Sequence, residues 1–319
     1  MPRHPSASKP RRKRVRWGAA TLALLAVAGY VTLREVAGAG RSDCSVAAGG
    51  SRLGLAQDQA ANAATIGAVA VSRDLPERAL TIALATAMQE SDLRNLSGGD
   101  RDSLGLFQQR PSQGWGTREQ IVDPVYSANE FFDELVKIPG YSRLPLTVAA
   151  QRVQRSGYPQ AYAKHEADAS LLAGALSGRA PSLTCRVVSG TTPGDPARVT
   201  ARLTREFGAR IMRPYAAAGL PDSGTATGGT SAPAPGGGGA ADPTVIVPGD
   251  SAGEPTGLNA AQHGWVLAQW AVAHAAELRI TEVRYRGRVW WASRSDDGWT
   301  SDSRPAGQAY GDVRITVQH

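Results

Sequence analysis

The sequence predicts a mainly α-helical protein, with a transmembrane helix before a helical domain and a small α+β module after it. Three observations carry this prediction. A run without charges, at 17–33, follows a basic N-terminus. Residues 44–186 carry long apolar stretches, several of them entered through a proline. After residue 258, one helix-like stretch is followed by three short runs that have the composition of strands.

The first sixteen residues form a basic tail that carries the whole net charge of +7, so the rest of the 319-residue chain is neutral. This distribution excludes a basic nucleic-acid surface on a folded domain. As a helix, the seventeen residues at 17–33 span about 25 Å, close to the ~30 Å hydrocarbon core of a bilayer. The sequence therefore predicts a membrane anchor at 17–36, with the tail in the cytoplasm and the body outside. A secretory signal cleaved near Ala39 is the alternative, and it would leave a secreted protein.

The chain has two cysteines, Cys44 and Cys185, on either side of the predicted helical domain. Outside the cytoplasm a disulfide between them would persist, and on the chain-entropy model a loop of this length is worth about 5 kcal/mol. Two unrelated thiols are the alternative. Two cysteines and five histidines without a metal-binding spacing predict no metal site, and no cofactor is expected.

Between 44 and 186 the prolines divide the chain into predicted helices. Pro76 begins an almost wholly apolar helix that runs through Met88, and Asp123-Pro124 begins the next. Further helices are predicted after Pro145 and Pro159. Glycines and prolines interrupt the pattern at 91–121 and predict a long loop there.

The remainder of the chain is predicted in three parts. Residues 187–221 form an amphipathic connector. Residues 222–257 contain ten glycines and five prolines, a composition typical of a flexible linker. Residues 258–319 form the α+β module, with a helix at 260–276 and strands at 280–285, 288–293 and 313–317.

Glu90 is the candidate catalytic residue, because it ends the most apolar predicted helix where a glycine-rich loop begins. A carboxyl at such a position loses part of its hydration, and this favours the protonated acid that glycosidic bond cleavage requires. The segment Ala87-Met88-Gln89-Glu90-Ser91 is followed by Ser103-Leu104-Gly105-Leu106-Phe107-Gln108. Together the two motifs resemble the lysozyme-like lytic transglycosylase family, in its actinobacterial and phage-like branch. The resemblance covers about residues 53–177.

The resemblance implies a substrate, the glycan strands of peptidoglycan, and a role for each motif residue. Glu90 would protonate the bridging oxygen between MurNAc and GlcNAc and then act as a base. Tyr162, or alternatively Tyr158, would hold the Glu90 carboxyl. The family's usual Ala-Tyr-Asn motif is replaced here by Val153-Gln154-Arg155. The predicted substrate contacts are Ser91, Gly105, Gln108, Trp115, Gln154, Tyr158 and Tyr162.

Two alternatives to a transglycosylase remain open at this point. A lysozyme-type hydrolase needs a second carboxylate, for which Asp100 and Asp102 are the candidates. A non-catalytic protein that docks on peptidoglycan, as part of a secretion or conjugation machine, would use the same fold without the chemistry. For Trp115, stacking on a sugar and packing against the domain are equally consistent with the sequence.

Overall fold

The computed structural model describes residues 44–155, 159–187, 192–212, 243–249, 258–303 and 311–319. The α-helices within these residues are α1 (Gln57–Ser72), α2 (Glu77–Ser91), α3 (Arg118–Ile121), α4 (Pro124–Val136), α5 (Leu146–Gln154), α6 (Glu166–Leu176), α7 (Pro196–Phe207), α8 (Ala260–Ala273) and α9 (Ala275–Leu278). The strands are β1 (Cys44–Ala48), β2 (Ser51–Leu55), β3 (Leu183–Cys185), β4 (Thr244–Pro248), β5 (Ile280–Tyr285), β6 (Arg288–Trp291), β7 (Thr300–Ser301) and β8 (Asp312–Val317). Short 3-10 helices include Pro111–Gln113, Tyr141–Arg143 and Pro159–His165.

Helix α2 lies at the centre of the helical segment. It begins at Glu77, directly after Pro76, and every residue at 79–88 is buried. Helices α1, α4, α5 and α6 all pack against it, which explains why its sequence is apolar on all sides. It ends at Ser91, because the next residue, Asp92, has a left-handed backbone that stops the helix. The last turn of α2 therefore reaches the surface.

A three-stranded antiparallel sheet closes one end of the helical segment, in the order β2-β1-β3. β1 and β2 form a hairpin through Gly49 and Gly50, both of which have positive φ. β3 pairs with β1 so that Cys44 lies opposite Cys185, and the two cysteines form a disulfide.

A five-stranded antiparallel sheet, in the order β4-β8-β5-β6-β7, forms the other β element, and α8 packs on it. Helix α8 also contacts α1, α6 and β3. The buried Gln269 of α8 accepts hydrogen bonds from the backbone N–H groups of Ser182 and Leu183, at 3.0 and 2.9 Å. The Trp299 indole donates to the Leu183 carbonyl at 3.0 Å. The C-terminal elements therefore share a core with the helical segment.

These observations correct the predicted fold class. The described residues contain two antiparallel sheets beside the helices, so the fold mixes α and β structure and is not mainly α with a small separate module. Helix α7, in the predicted connector, buries Val199 and Leu203, and β4 lies inside the predicted linker. Among the described residues, no helix is long and apolar enough to cross a membrane. The segment predicted as an anchor, 17–36, lies outside those residues.

Candidate functional site

The Glu90 carboxyl lies in the last turn of α2, half-buried, where the helix reaches the surface. The Tyr162 hydroxyl donates a hydrogen bond to Glu90 Oε1 at 2.8 Å. Tyr162 belongs to the 3-10 helix Pro159–His165 and is only 1% exposed, so its ring is fixed by packing. The buried ring thus orients a carboxyl that keeps partial access to solvent. Tyr158, the alternative holder of this carboxyl, lies outside the described residues.

The loop at 96–110 is fastened to the ends of two helices beside Glu90. The Ser91 hydroxyl donates to the Leu106 carbonyl at 2.7 Å, from a side chain that is 7% exposed. Gln154 Nε2, at the end of α5, donates to the Phe107 carbonyl at 2.7 Å. Leu106 and Phe107 are fully buried. Ser91 and Gln154, both predicted as substrate contacts, therefore bind the backbone of this loop.

The backbone of Gly105 gives a structural reason for a glycine at this position. Its φ is +74°, and a Cβ placed there would lie 2.6 Å from the Ile121 carbonyl oxygen. Its N–H also donates to the Leu96 carbonyl at 2.8 Å. The residue is buried against α3, so it sets the path of the loop. Gln108 is half-buried, and its Nε2 donates to the Gly105 carbonyl at 3.2 Å.

The two candidate second carboxylates differ in their surroundings. Asp102 accepts from Arg110 Nε at 2.8 Å and from the Ser112 backbone N–H at 2.8 Å. The bond from Arg110, followed by those from Ser112, holds the pKa of Asp102 well below its ordinary value, so Asp102 is charged at any pH near neutral. The Asp100 side chain is 93% exposed, and its nearest ion-pair partner is Arg101 at 3.9 Å.

A cavity of about 260 Å³ lies beside this loop. Trp115 is half-buried and forms part of its wall, and Gln108 and Gln154 line it as well. Gln109, Glu130 and Glu134 are among the other residues that line it, and the sequence did not point to them. Gln109 directly follows the Gly-Leu-Phe-Gln motif, and this adjacency was the one signal that could have identified it.

A second contact at the end of α2 was not expected. His165 Nε2 lies 3.3 Å from Oε1 of Gln89, the residue before Glu90. Burial, and then the positive charge of Lys164, lower the pKa of His165 below 6.5, so its imidazole is neutral at pH 7.

A family model described as VldE, C-terminal domain, matches residues 212–309, which is under a third of the chain. The matched residues include β4 to β7 and exclude Glu90, Tyr162 and the loop at 96–110. No curated protein matches the sequence.

Proposed function

We propose that the protein is a peptidoglycan lytic transglycosylase that cleaves the MurNAc–GlcNAc bond with Glu90 as general acid and base. The observation that carries this proposal is the hydrogen bond from the buried Tyr162 hydroxyl to Glu90 Oε1. An acid–base group must be held in one orientation and must also be open to the substrate. Glu90 meets both conditions, because it is half-buried at the end of a buried helix.

The hydrogen bond also assigns a role to each carboxyl oxygen. Because Tyr162 donates to Oε1, Oε2 is the oxygen left to carry the proton when Glu90 acts as an acid. In the first step Oε2 gives this proton to the bridging oxygen, the bond from that oxygen to C1 of MurNAc breaks, and GlcNAc leaves. In the second step the Glu90 carboxylate takes the proton of the MurNAc 6-hydroxyl as its oxygen attacks C1. The products are a 1,6-anhydro end and a regenerated Glu90, and no water is consumed.

The environment of the two aspartates favours this reaction over hydrolysis. A hydrolase needs a second carboxylate placed as a base or a nucleophile. Both Asp102 oxygens are occupied, one by Arg110 and the other by the Ser112 N–H. Asp100 is almost fully exposed, so nothing holds it in a catalytic position. A one-carboxylate mechanism therefore fits these residues better.

The test is cleavage of purified cell-wall glycan by Glu90→Gln, which keeps the shape of the side chain and removes its ionisable proton. The expected result is a loss of about 100-fold or more, the range that general acids contribute, with an unchanged melting temperature. Glu119→Gln is the matched control, because Glu119 is an exposed residue of α3. Activity of Glu90→Gln at the wild-type level would contradict the proposal. A wild type that binds glycan without cutting it would favour the docking protein.

The products distinguish the two kinds of enzyme. Mass spectrometry of the digest should find 1,6-anhydro ends, each lighter by one water than the reducing end left by a hydrolase. Asp100→Asn should leave both rate and product unchanged. Reducing ends that disappear in Asp100→Asn or Asp102→Asn would instead identify a lysozyme-type hydrolase.

A further inference from the structure

The cavity beside the loop at 96–110 has the size of a site for one small polar group. Its volume of about 260 Å³ is below the ~300–1,000 Å³ typical of pockets for whole drug-sized ligands. Its walls come from residues 108–115, from α4 and from the end of α5. No residue of the cavity has a role in the acid–base chemistry proposed above.

Three glutamine side chains that line this cavity have their NH₂ groups bound to the backbone. The amide nitrogens of Gln108, Gln109 and Gln154 donate to the backbone carbonyls of Gly105, Ser127 and Phe107, at 3.2, 3.1 and 2.7 Å. A carbonyl oxygen only accepts, so these contacts fix each NH₂ group and leave the amide oxygens as the remaining acceptors. The Oε1 of Gln109, which is 2% exposed, has no hydrogen-bond partner within the described part of the chain. An unsatisfied buried acceptor is costly, so this wall favours a ligand that donates hydrogen bonds.

The cavity is lined by two arginines and two glutamates, and one of the arginines, Arg110, is held by Asp102 through its Nε at 2.8 Å. Glu130 and Glu134 are one turn apart on α4 and both line it. Lys137 pairs with Glu134 on the exposed side of α4, where such a pair contributes little. Arg155, at the end of α5, also lines the cavity, and it makes no ion pair with any described residue. The cavity thus offers two carboxylates from α4 and, from the end of α5, one guanidinium that no described carboxylate pairs with.

We propose that this cavity binds the free amino-acid end of a peptide stem attached to the glycan, an ammonium and a carboxylate on one carbon. The ammonium contacts Glu130, Glu134 and the glutamine oxygens, and the carboxylate pairs with Arg155. Trp115 supplies an apolar wall for the methylene groups that lead to this end. The proposal rests on the proposed function for the identity of the stem, since peptidoglycan stems carry diamino acids whose unlinked side chains end in this way.

Direct binding tests the proposal without cleavage. The probe is the tripeptide L-Ala-γ-D-Glu-diaminopimelate, titrated calorimetrically into the whole protein. Saturable binding is expected, with a Kd raised about tenfold or more by Arg155→Gln, by Glu134→Gln, or by acetylation of the side-chain amine of the probe. Arg152→Gln is the matched control, because Arg152 is an exposed arginine on the same helix that does not line the cavity. The absence of saturable binding, or equal binding by Arg155→Gln and the wild type, would overturn the proposal.

Cleavage separates this inference from the proposed function. Glycan strands are compared with their stems intact and with their stems removed by an amidase. Arg155→Gln should slow cleavage of the intact strands and leave the rate on stripped strands unchanged. If Glu90→Gln cuts as well as the wild type while the tripeptide still binds, only the proposed function fails. If cleavage depends on Glu90 but Arg155→Gln and the wild type cut intact strands equally, only this inference fails.

Discussion

The hydrogen bond between Tyr162 and Glu90 predicts a positioning role that can be measured. Tyr162→Phe keeps the buried ring and removes the donor to Oε1, so the carboxyl loses its fixed orientation. The Glu90 carboxyl becomes charged as it gives up its proton, and a bond to a charged group is worth about 1.5–3 kcal/mol, so kcat should fall roughly 10- to 100-fold with little change in KM. Turnover of labelled cell wall over a range of substrate concentrations separates kcat from KM and checks this.

Tyr141→Phe serves as the control for that variant, because Tyr141 is half-buried against the same core and its hydroxyl is not the one that donates to Glu90. In the double variant Tyr162→Phe/Glu90→Gln, the activity should equal that of Glu90→Gln alone, since the bond acts only through the acid. Additive losses would show that Tyr162 acts elsewhere.

The sequence paired Tyr162 with Glu90 from residue type and motif spacing, and the structure shows a hydrogen bond between them, while their catalytic roles stay a prediction. For Ser91 and Gly105 the sequence could not show the contacts within the protein, because the residue type is the same for a sugar contact as for a backbone contact. Only the fold shows that Ser91 faces the Leu106 carbonyl and that Gly105 faces Ile121. Arg155 and Glu134 lie 21 residues apart in the sequence, so no local pattern connects them to one cavity.

At the scale of the element, the loop at 96–110 requires a glycine at position 105 to follow its path. Replacing this glycine should therefore lower the stability of the fold. In Gly105→Ala the new Cβ would meet the Ile121 carbonyl oxygen, and the residue would also adopt a left-handed backbone. The unfolding free energy should fall by about 2 kcal/mol or more, measured by denaturant titration. Gly49→Ala is the control: its φ is +58°, but nothing lies within 4 Å of its Cβ, so only the backbone strain of about 1 kcal/mol applies. Equal losses in the two variants would contradict the role of Ile121.

Among the features of the secondary structure, the sequence predicted the first residues of the helices best, because a proline fixes the backbone locally. α2 begins after Pro76, α4 begins at Pro124 and α5 begins after Pro145. After Pro159 the chain forms a 3-10 helix before α6, a difference that local composition does not reveal. β4 was missed because its five residues lie among the glycines and prolines of the predicted linker, and its partner β8 is more than 60 residues away.

At the scale of the whole molecule, buried polar contacts join the C-terminal elements to the helical segment. Glu206 of α7, 2% exposed, accepts from the Trp270 indole at 2.7 Å and from the Thr65 hydroxyl at 3.1 Å. Arg202 also bonds this carboxylate, and the fully buried His274 ring lies 3.7 Å from it. These residues come from α1, α7, α8 and the start of α9, so the sequence alone could not show that they meet.

This cluster predicts how stability depends on pH. Burial by itself raises the pKa of Glu206, but His274, Trp270 and Arg202 together lower it to about 2. The stabilisation of the folded state by ionised Glu206 is therefore present above pH 4.5, the ordinary pKa of a glutamate, and is lost as the pH falls towards 2. Burial lowers the pKa of His274, but Glu206 and Glu277 outweigh it and raise the value above 6.5. The stabilisation of the folded state by protonated His274 is complete below pH 6.5 and is lost as the pH rises through the raised pKa.

Glu206→Gln should therefore lower the unfolding free energy by about 3 kcal/mol or more at pH 6, since it leaves Arg202 and His274 without their buried counter-charge. Denaturant titrations from pH 3 to 9 measure this loss. Glu277→Gln is the control, because its carboxylate faces the same two residues from a side chain that is 44% exposed. Its effect should be under about 1 kcal/mol. A Glu206→Gln variant with the wild-type pH profile would contradict the charged state of the cluster.

The disulfide acts on the whole helical segment, since Cys44 and Cys185 close a loop of 141 residues around it. Such a bond restricts the unfolded chain, and on the chain-entropy model its loss costs about 5 kcal/mol. Reduction should lower the melting temperature, whereas cleavage of cell wall at low temperature should persist because neither sulfur touches Glu90 or the loop at 96–110. Thermal unfolding with and without reductant measures the first effect, and the Cys44→Ser/Cys185→Ser variant should melt like the reduced protein. Native protein in which both thiols react with an alkylating agent before reduction would contradict the bond, and an unchanged melting temperature would contradict its contribution to stability.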